Sequence, residues 1–364
     1  MKSRANGWLR RWLIKPLAFC FSHKAPKAQP AFSVPDVLKA PRKILIVPDG
    51  RAGGLFLGAS QFQAIRHRYA EARITLLVHA HKAYIAREIP FVDEVMVYED
   101  FLLPLGGKLR GLVRRLQEQA FDIVFFFSTE ESFCPAYFCY KSGADLRVGF
   151  QRDDFPFINV QIVPRPETRY ERERLALLLR TLGISQVKDG VSWPVSKAGA
   201  EEIRERYLVS RKPGERFVGL DVSTCTGNRP TVKQLQSIAE VATALANTRT
   251  LVFFDSTKRK AANRIKATLG QKVLLFQTDD LPKIVALLEA CHQLIACNTD
   301  LFHLAVAMGL PVTGIFSSSD IVRWVPADRK GVEVLEYETL KNWRPQQVSN
   351  TIQQRLLSTA PAKA

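Results

Sequence analysis

Apolar residues along this chain fall into short unbroken runs, separated by glycine-containing turns and by amphipathic stretches. Ile44-Leu45-Ile46-Val47 is the first such run, the pattern of a strand buried on both faces of a parallel sheet. The turn Asp49-Gly50-Arg51-Ala52-Gly53-Gly54 follows, then Phe62, Ile65 and Tyr69 at helical spacing among basic residues. The same reading predicts strands at Ile74–Val78, Glu94–Tyr98 and Ile123–Phe127, and helices over Tyr84–Ile89 and Leu109–Gln119. The rhythm breaks around Pro164–Pro166. A charged helix is predicted over Arg169–Leu182, ending at Gly183, with Val191–Lys197 as a short connection. It then restarts, with strands at Phe217–Leu220, Thr250–Phe254, Val273–Phe276, Leu294–Cys297 and Val312–Phe316. Between them lie helices at Val232–Leu245, Lys258–Leu269, Leu281–Ala290 and near Phe302–Met308.

Alternation of this kind implies right-handed βαβ units on parallel sheets. The expected fold is α/β, with two doubly wound Rossmann-like domains facing a cleft and joined near residues 165–200. The expected boundaries are a basic N-terminal segment and linker (1–42), an N-terminal domain (43–185), a C-terminal domain (186–345), and a helix and tail (346–364). Ligands of such sheets bind beyond the carboxyl ends of the strands, which directs attention to the loops there.

Charge narrows the choice of ligand. In 364 residues, 52 Lys+Arg stand against 35 Asp+Glu, a formal net charge of +17 that favours polyanions or anionic substrates. No nucleic-acid-binding motif is present and the basic residues are spread along both halves, so no nucleic-acid partner is expected. Cys20, Cys134, Cys139, Cys225, Cys291 and Cys297 form no CxxC pair and have no zinc-ligand spacing, so they read as buried reduced thiols and no metal site is expected. Residues 1–35 carry Lys2, Arg4, Arg10, Arg11, Lys15, Lys24 and Lys27 without an acid, interleaved with Trp8, Leu9, Trp12, Leu13, Leu17, Phe19 and Phe21. Lys15 and Pro16 split what would be a signal-peptide core, and no run reaches the roughly 20 apolar residues of a spanning helix. Residues 1–24 read either as a short helix lying on an anionic membrane surface or as a disordered basic tail, with Lys24–Pro41 as a linker.

Three loops carry candidate chemistry. Gly50, Arg51, Gly53 and Gly54 follow a strand and open a helix, an arrangement that lets backbone N–H groups approach a phosphate, although a tight turn needs glycine in any case. The second loop, Asp221–Pro230, places Ser223, Thr224, Asn228 and Arg229 at a strand's end, where they suit a diphosphate or merely cap the next helix. The third, Asn298-Thr299-Asp300-Leu301-Phe302-His303, is a polar loop entering a small-residue helix, with His303 in its first turn.

Residues 43–328 resemble glycosyltransferase family 9, the ADP-heptose:lipopolysaccharide heptosyltransferases. Lys43–Val47 with its glycine loop, Ala72–Val78, Phe91–Val95 and Gly143–Phe150 (a turn before the linker) carry the resemblance. So does Leu281–Phe316, followed by Asp320 and Arg323-Trp324. The resemblance implies a GT-B fold and an inverting, metal-independent transfer without a cofactor. It also implies a nucleotide-sugar donor such as ADP-heptose, held mainly by the C-terminal half, and the anionic lipopolysaccharide inner core as acceptor. The protein would then be cytoplasmic and peripheral to the inner membrane. An aspartate of the first loop would take the acceptor's proton, and the second loop would stabilise the leaving diphosphate.

The chain departs from that pattern at three places. Where the family reads Gly-Asp, this chain has Gly53-Gly54, which leaves Asp49 or Asp300 as the base. Ser223 and Thr224 match the phosphate-binding hydroxyls, while the usual lysine falls on Asn228 beside Arg229. Where the family reads Asp-Thr-Gly-Pro-x-His, Thr299 and His303 match but Asn298 and Asp300 replace the acid and the glycine. The alternative is a degenerate relative that keeps the fold and binds glycan, nucleotide or a protein partner without catalysis.

Overall fold

The computed structural model describes residues 33–51, 53–101, 107–128, 133–152, 157–165, 167–185, 197–208, 212–223, 230–326, 328, 331–336, 350 and 354. The chain divides into two compact units. The first holds residues up to Gly50, Gly58–Thr168 and Glu173–Lys188; the second holds Arg51–Leu57, Arg169–Arg172 and Asp189 onward.

In the first unit, six strands form one parallel sheet: β1 (Lys43–Val47), β2 (Arg73–His79), β3 (Glu94–Tyr98), β4 (Ile123–Phe126), β5 (Leu146–Phe150) and β6 (Val160–Ile162). Their order is β3-β2-β1-β4-β5-β6. The centre is apolar on both faces, with Ile44, Leu45, Ile46, Ile123, Val124 and Phe125 fully buried, as a sheet covered by helices requires. Helices Gly107–Gln119 and Phe133–Lys141 pack one face through Leu116, Phe133, Tyr137 and Phe138. Asp122, just before β4, fixes the start of β1 by accepting from Arg42 N–H at 2.7 Å and Lys43 N–H at 2.8 Å.

The second unit repeats the plan. Strands β7 (Arg216–Asp221), β8 (Thr248–Phe254), β9 (Val273–Gln277), β10 (Gln293–Cys297), β11 (Val312–Phe316) and β12 (Val332–Glu336) are all parallel, in the order β12-β11-β10-β7-β8-β9. Read from its first strand, each sheet steps outward twice, returns to the other side of the first strand, and steps outward again. His292, just before β10, repeats the role of Asp122: its Nδ1 accepts from Phe217 N–H at 3.3 Å and ties the central strand to its neighbour.

Several expected elements differ from what the chain forms. Gly143–Phe150 is not a turn: Leu146–Phe150 is the buried strand β5, with Arg147 3% exposed because its guanidinium donates to the carbonyls of Phe157 (2.8 Å) and Ala144. The linker Lys24–Pro41 contains a helix at Val34–Lys39, begun by a proline whose fixed φ suits the first turn. The helix expected over Tyr84–Ile89 is a 3₁₀ turn, Ala80–Lys82, running into Ala83–Ala86. The helices Phe133–Lys141, Lys197–Tyr207 and Ser318–Trp324 and the strands β6 and β12 form in addition to the expected elements. Residues 1–24, and most of the connection 191–197, lie outside the described residues.

Candidate functional site

The second sheet reverses direction between β7 and β10, since β7 leads to β8 on one side and β10 returns on the other. Loops leaving the carboxyl ends of such a pair diverge and open a crevice. Asp221 ends β7 there and is 2% exposed. Its Oδ2 accepts the Thr299 hydroxyl at 2.6 Å and its Oδ1 accepts the Ser223 N–H at 2.9 Å, so one carboxylate ties the loop after β7 to the loop after β10. Burial pushes the Asp221 carboxyl above the ordinary carboxylate range, against the opposing pull of its hydrogen bonds from Ser223 and Thr299.

Thr299 has a second duty. Its Oγ1 accepts from Phe302 N–H at 3.2 Å, which caps the helix Asp300–Ala307. On that helix His303 is 3% exposed, and its Nε2 pairs with Asn298 Oδ1 at 2.9 Å. The imidazole stands edge-on to Phe302 (5.1 Å) and to Trp324 (5.8 Å).

The glycine loop joins this group within the second unit, through contacts of Gly53 and Arg51. Gly53, at φ +75°, donates its N–H to Asp300 Oδ1 at 2.8 Å. Its α-carbon lies against the His303 ring so closely that a Cβ there would stand 2.1 Å from His303 Cδ2. Only glycine meets both demands. Arg51 pairs through Nη2 with Glu171 Oε1 at 3.1 Å, and Arg323 pairs through Nε with the other oxygen, Oε2, at 2.9 Å. Both guanidiniums also lie over the Trp324 ring, 4.8 Å and 5.1 Å from its centroid. Glu171 is 1% exposed, so its charge is satisfied by these two cations rather than by bulk water.

Arg51, Gly53, Asn298, Thr299, Asp300 and His303 are therefore brought together, and Ser223 joins them through Asp221. Gly54 starts the helix Gly54–Arg68 by donating its N–H to Arg51 O at 3.1 Å. Asp49 and Gly50 belong to the first unit; Asp49 is 3% exposed just past the carboxyl end of β1, and Gly50 is exposed. Thr224, Asn228 and Arg229 lie outside the described residues. Sequence reasoning missed Glu171 and the anchoring part played by Asp221. An acid closing an apolar strand was a usable signal for Asp221; Glu171, inside the charged run Glu171-Arg172-Glu173-Arg174, gave none. Among the described residues no group of three or more His, Cys, Asp or Glu side chains is placed to hold a metal ion.

The fold matches solved structures closely enough to compare. A glycosyl transferase family 9 protein from Veillonella parvula superposes with a TM-score of 0.71 at 17% identity, covering 88% of this chain and 99% of its own. ADP-heptose lps heptosyltransferase II of E. coli gives 0.69 at 21% identity, covering 86% and 98%. E. coli heptosyltransferase WaaC, solved with ADP-2-deoxy-2-fluoro heptose, gives 0.62 at 15% identity, covering 86% and 99%. Comparison with curated protein sequences gave no match. At these identities the structures establish a shared GT-B fold. The family model for glycosyltransferase family 9 (heptosyltransferase) matches residues 109–352, more than half of the chain, and on that ground the chain belongs to glycosyltransferase family 9.

Proposed function

We propose that the protein transfers a sugar, a heptose carried on ADP, from a nucleotide-sugar donor to the anionic inner core of lipopolysaccharide, inverting the anomeric centre without a metal or a cofactor. The observation that carries this reading is the Asp221–Thr299 hydrogen bond, 2.6 Å long and buried, which holds two polar loops together where a doubly wound sheet binds its ligand. Ser223, Thr224, Asn228 and Arg229 on one loop, and Asn298, Thr299, Asp300 and His303 on the other, are the donor-binding residues of this reading. The acceptor oxygen attacks the anomeric carbon, the bond from that carbon to the diphosphate breaks, and the nucleoside diphosphate leaves with the electron pair. Asp49 receives the acceptor's proton. Support for the substrates comes from E. coli relatives of the same fold, one named for ADP-heptose and lipopolysaccharide and another solved with ADP.

The protein works in the cytoplasm at the inner membrane, where the basic, aromatic residues 1–24 rest on anionic lipid. Among the described residues no helix is long and apolar enough to cross a membrane. Removing residues 2–24 should reduce co-sedimentation with anionic vesicles, and unchanged sedimentation would remove this part of the proposal.

A second reading is favoured by one feature: Gly53-Gly54 stands where the family pattern carries an acid, as a non-catalytic relative would have it. Thermal-shift binding against ADP-, GDP-, UDP- and CDP-linked sugars, followed by a transfer assay with core oligosaccharide, separates the two. Stabilisation by one nucleotide sugar together with turnover supports the transferase, and Asp49→Asn should then lower kcat about a hundredfold or more. A folded protein silent in both assays overturns it. Full turnover by Asp49→Asn ends the role of that residue alone.

A further inference from the structure

We propose that Asp300 is an internal occupant of the anion position offered by the glycine loop. It bars phosphoryl groups from that loop and reserves it for a hydroxyl-bearing part of the substrate. The proposal rests on the donor reading given above and concerns how that site selects.

A glycine turn opening a helix presents backbone N–H groups and the positive end of the helix dipole, a combination that attracts phosphate. In this protein the attraction is already answered from within. The Gly53 N–H donates to Asp300 Oδ1 at 2.8 Å. The same carboxylate sits in the first turn of the helix Asp300–Ala307, whose positive end also favours it. The loop's own cation, Arg51, is held by Glu171 at 3.1 Å and lies over the Trp324 ring. Both anion-binding groups therefore face carboxylates of the chain itself. Gly53 also packs against the buried His303 ring, which leaves no room for a side chain at that position.

The two internal anions differ in one respect. Glu171 is 1% exposed and sits between two guanidiniums, whereas Asp300 is only partly buried and so meets solvent. A phosphoryl oxygen reaching for the Gly53 N–H meets a like charge and has to displace it. A sugar hydroxyl can instead donate to the carboxylate where it stands. The glycine loop thus reads hydroxyls, and the donor's diphosphate is left to the loop after β7.

The test is titration calorimetry of the full-length protein with ADP at low ionic strength, comparing wild type with Asp300→Asn and Asp300→Gly. Asn keeps an oxygen for Gly53 and removes the charge; Gly removes the side chain. Both should bind ADP about tenfold more tightly than wild type, the effect of taking one like charge away from a diphosphate several ångströms distant in a partly solvated site. A silent wild type with binding variants also supports the proposal. Equal affinity in all three proteins overturns it and leaves the donor reading standing. No binding by any of them, with GDP, UDP and CDP equally silent, overturns both. If Asp300→Gly melts early, Asp300→Asn alone decides.

Discussion

Replacing Gly53 by alanine tests how tightly the glycine loop is keyed into the second unit. Two costs add. Alanine at φ +75° enters the left-handed region, which costs an L-residue about 1–2 kcal/mol. Its methyl would also lie 2.1 Å from His303 Cδ2 and 2.3 Å from Cγ, well inside contact distance. The ring has little freedom to retreat: it is 3% exposed, bonded to Asn298 at 2.9 Å, and bounded by Phe302 and Trp324. Overpacking of this sort adds about 1–3 kcal/mol, so the sum is about 2–5 kcal/mol. For a unit of this size that lowers the melting temperature by about 10 °C, measurable by calorimetry on the second unit's transition. Gly50→Ala is the matched comparison. Its added Cβ meets nothing within 4 Å, and its change should stay within about 0.5 kcal/mol. Gly53→Ala with His303→Ala should then be less damaging than the two separate losses combined, by about 1–3 kcal/mol, because the clash disappears with the ring. A melting point within 2 °C of wild type for Gly53→Ala, or strict additivity in the double variant, would refute the steric account.

Two further outcomes follow from the buried acids. Glu171→Ala leaves Arg51 and Arg323 without their shared partner; with side chains 13% and 34% exposed, they are partly screened by water, so the expected loss is about 2–4 kcal/mol in urea unfolding. A loss under about 0.5 kcal/mol would show that solvent replaces the carboxylate. For Asp221 the sign comes from its raised pKa: the folded protein holds this proton more firmly than the unfolded chain, whose carboxyl titrates near 3.9. Wild type therefore loses stability as pH rises from about 4 to the folded value and is level above it. Asp221→Asn has no such proton to lose. The melting difference between the two proteins should shift in the variant's favour over that window, and a gap independent of pH would contradict the burial argument.

How far the fold could be read in advance depended on whether burial was apolar. Ile44–Val47 and Leu294–Cys297 are buried and apolar throughout, and their strands stood out. Leu146–Phe150 is equally buried but has Arg147 at its second position, and nothing local reveals that the carbonyls of Phe157 and Ala144 will satisfy the guanidinium. The helix Phe133–Lys141 was hidden for the opposite reason. Seven of its nine residues are buried, so it has no polar face to set a helical period. The site divides in the same way. Thr299 and His303 announce themselves as polar residues at the end of an apolar strand. Glu171 reaches Arg51 and Arg323 across 120 and 152 residues of sequence, and its neighbours suggest a solvated charged face. A contact set by topology at that range leaves no local trace.

The substitutions at the glycine loop and at the third loop are easier to understand together than apart. The family pattern carries an acid at position 54 and a glycine at position 300; this chain has Gly54 and Asp300. Asp300 Oδ1 rests 2.8 Å from the amide of Gly53, the residue next to 54 in the chain, so a carboxylate remains at the loop although a different element supplies it. The surrounding bonds, Thr299 to Asp221 and Asn298 to His303, are short and buried. Keeping the charge while moving its carrier changes which direction it faces and which ligand atoms it can meet. A ligand group at this loop therefore meets a carboxylate held from the helix Asp300–Ala307 and not one carried by the loop itself.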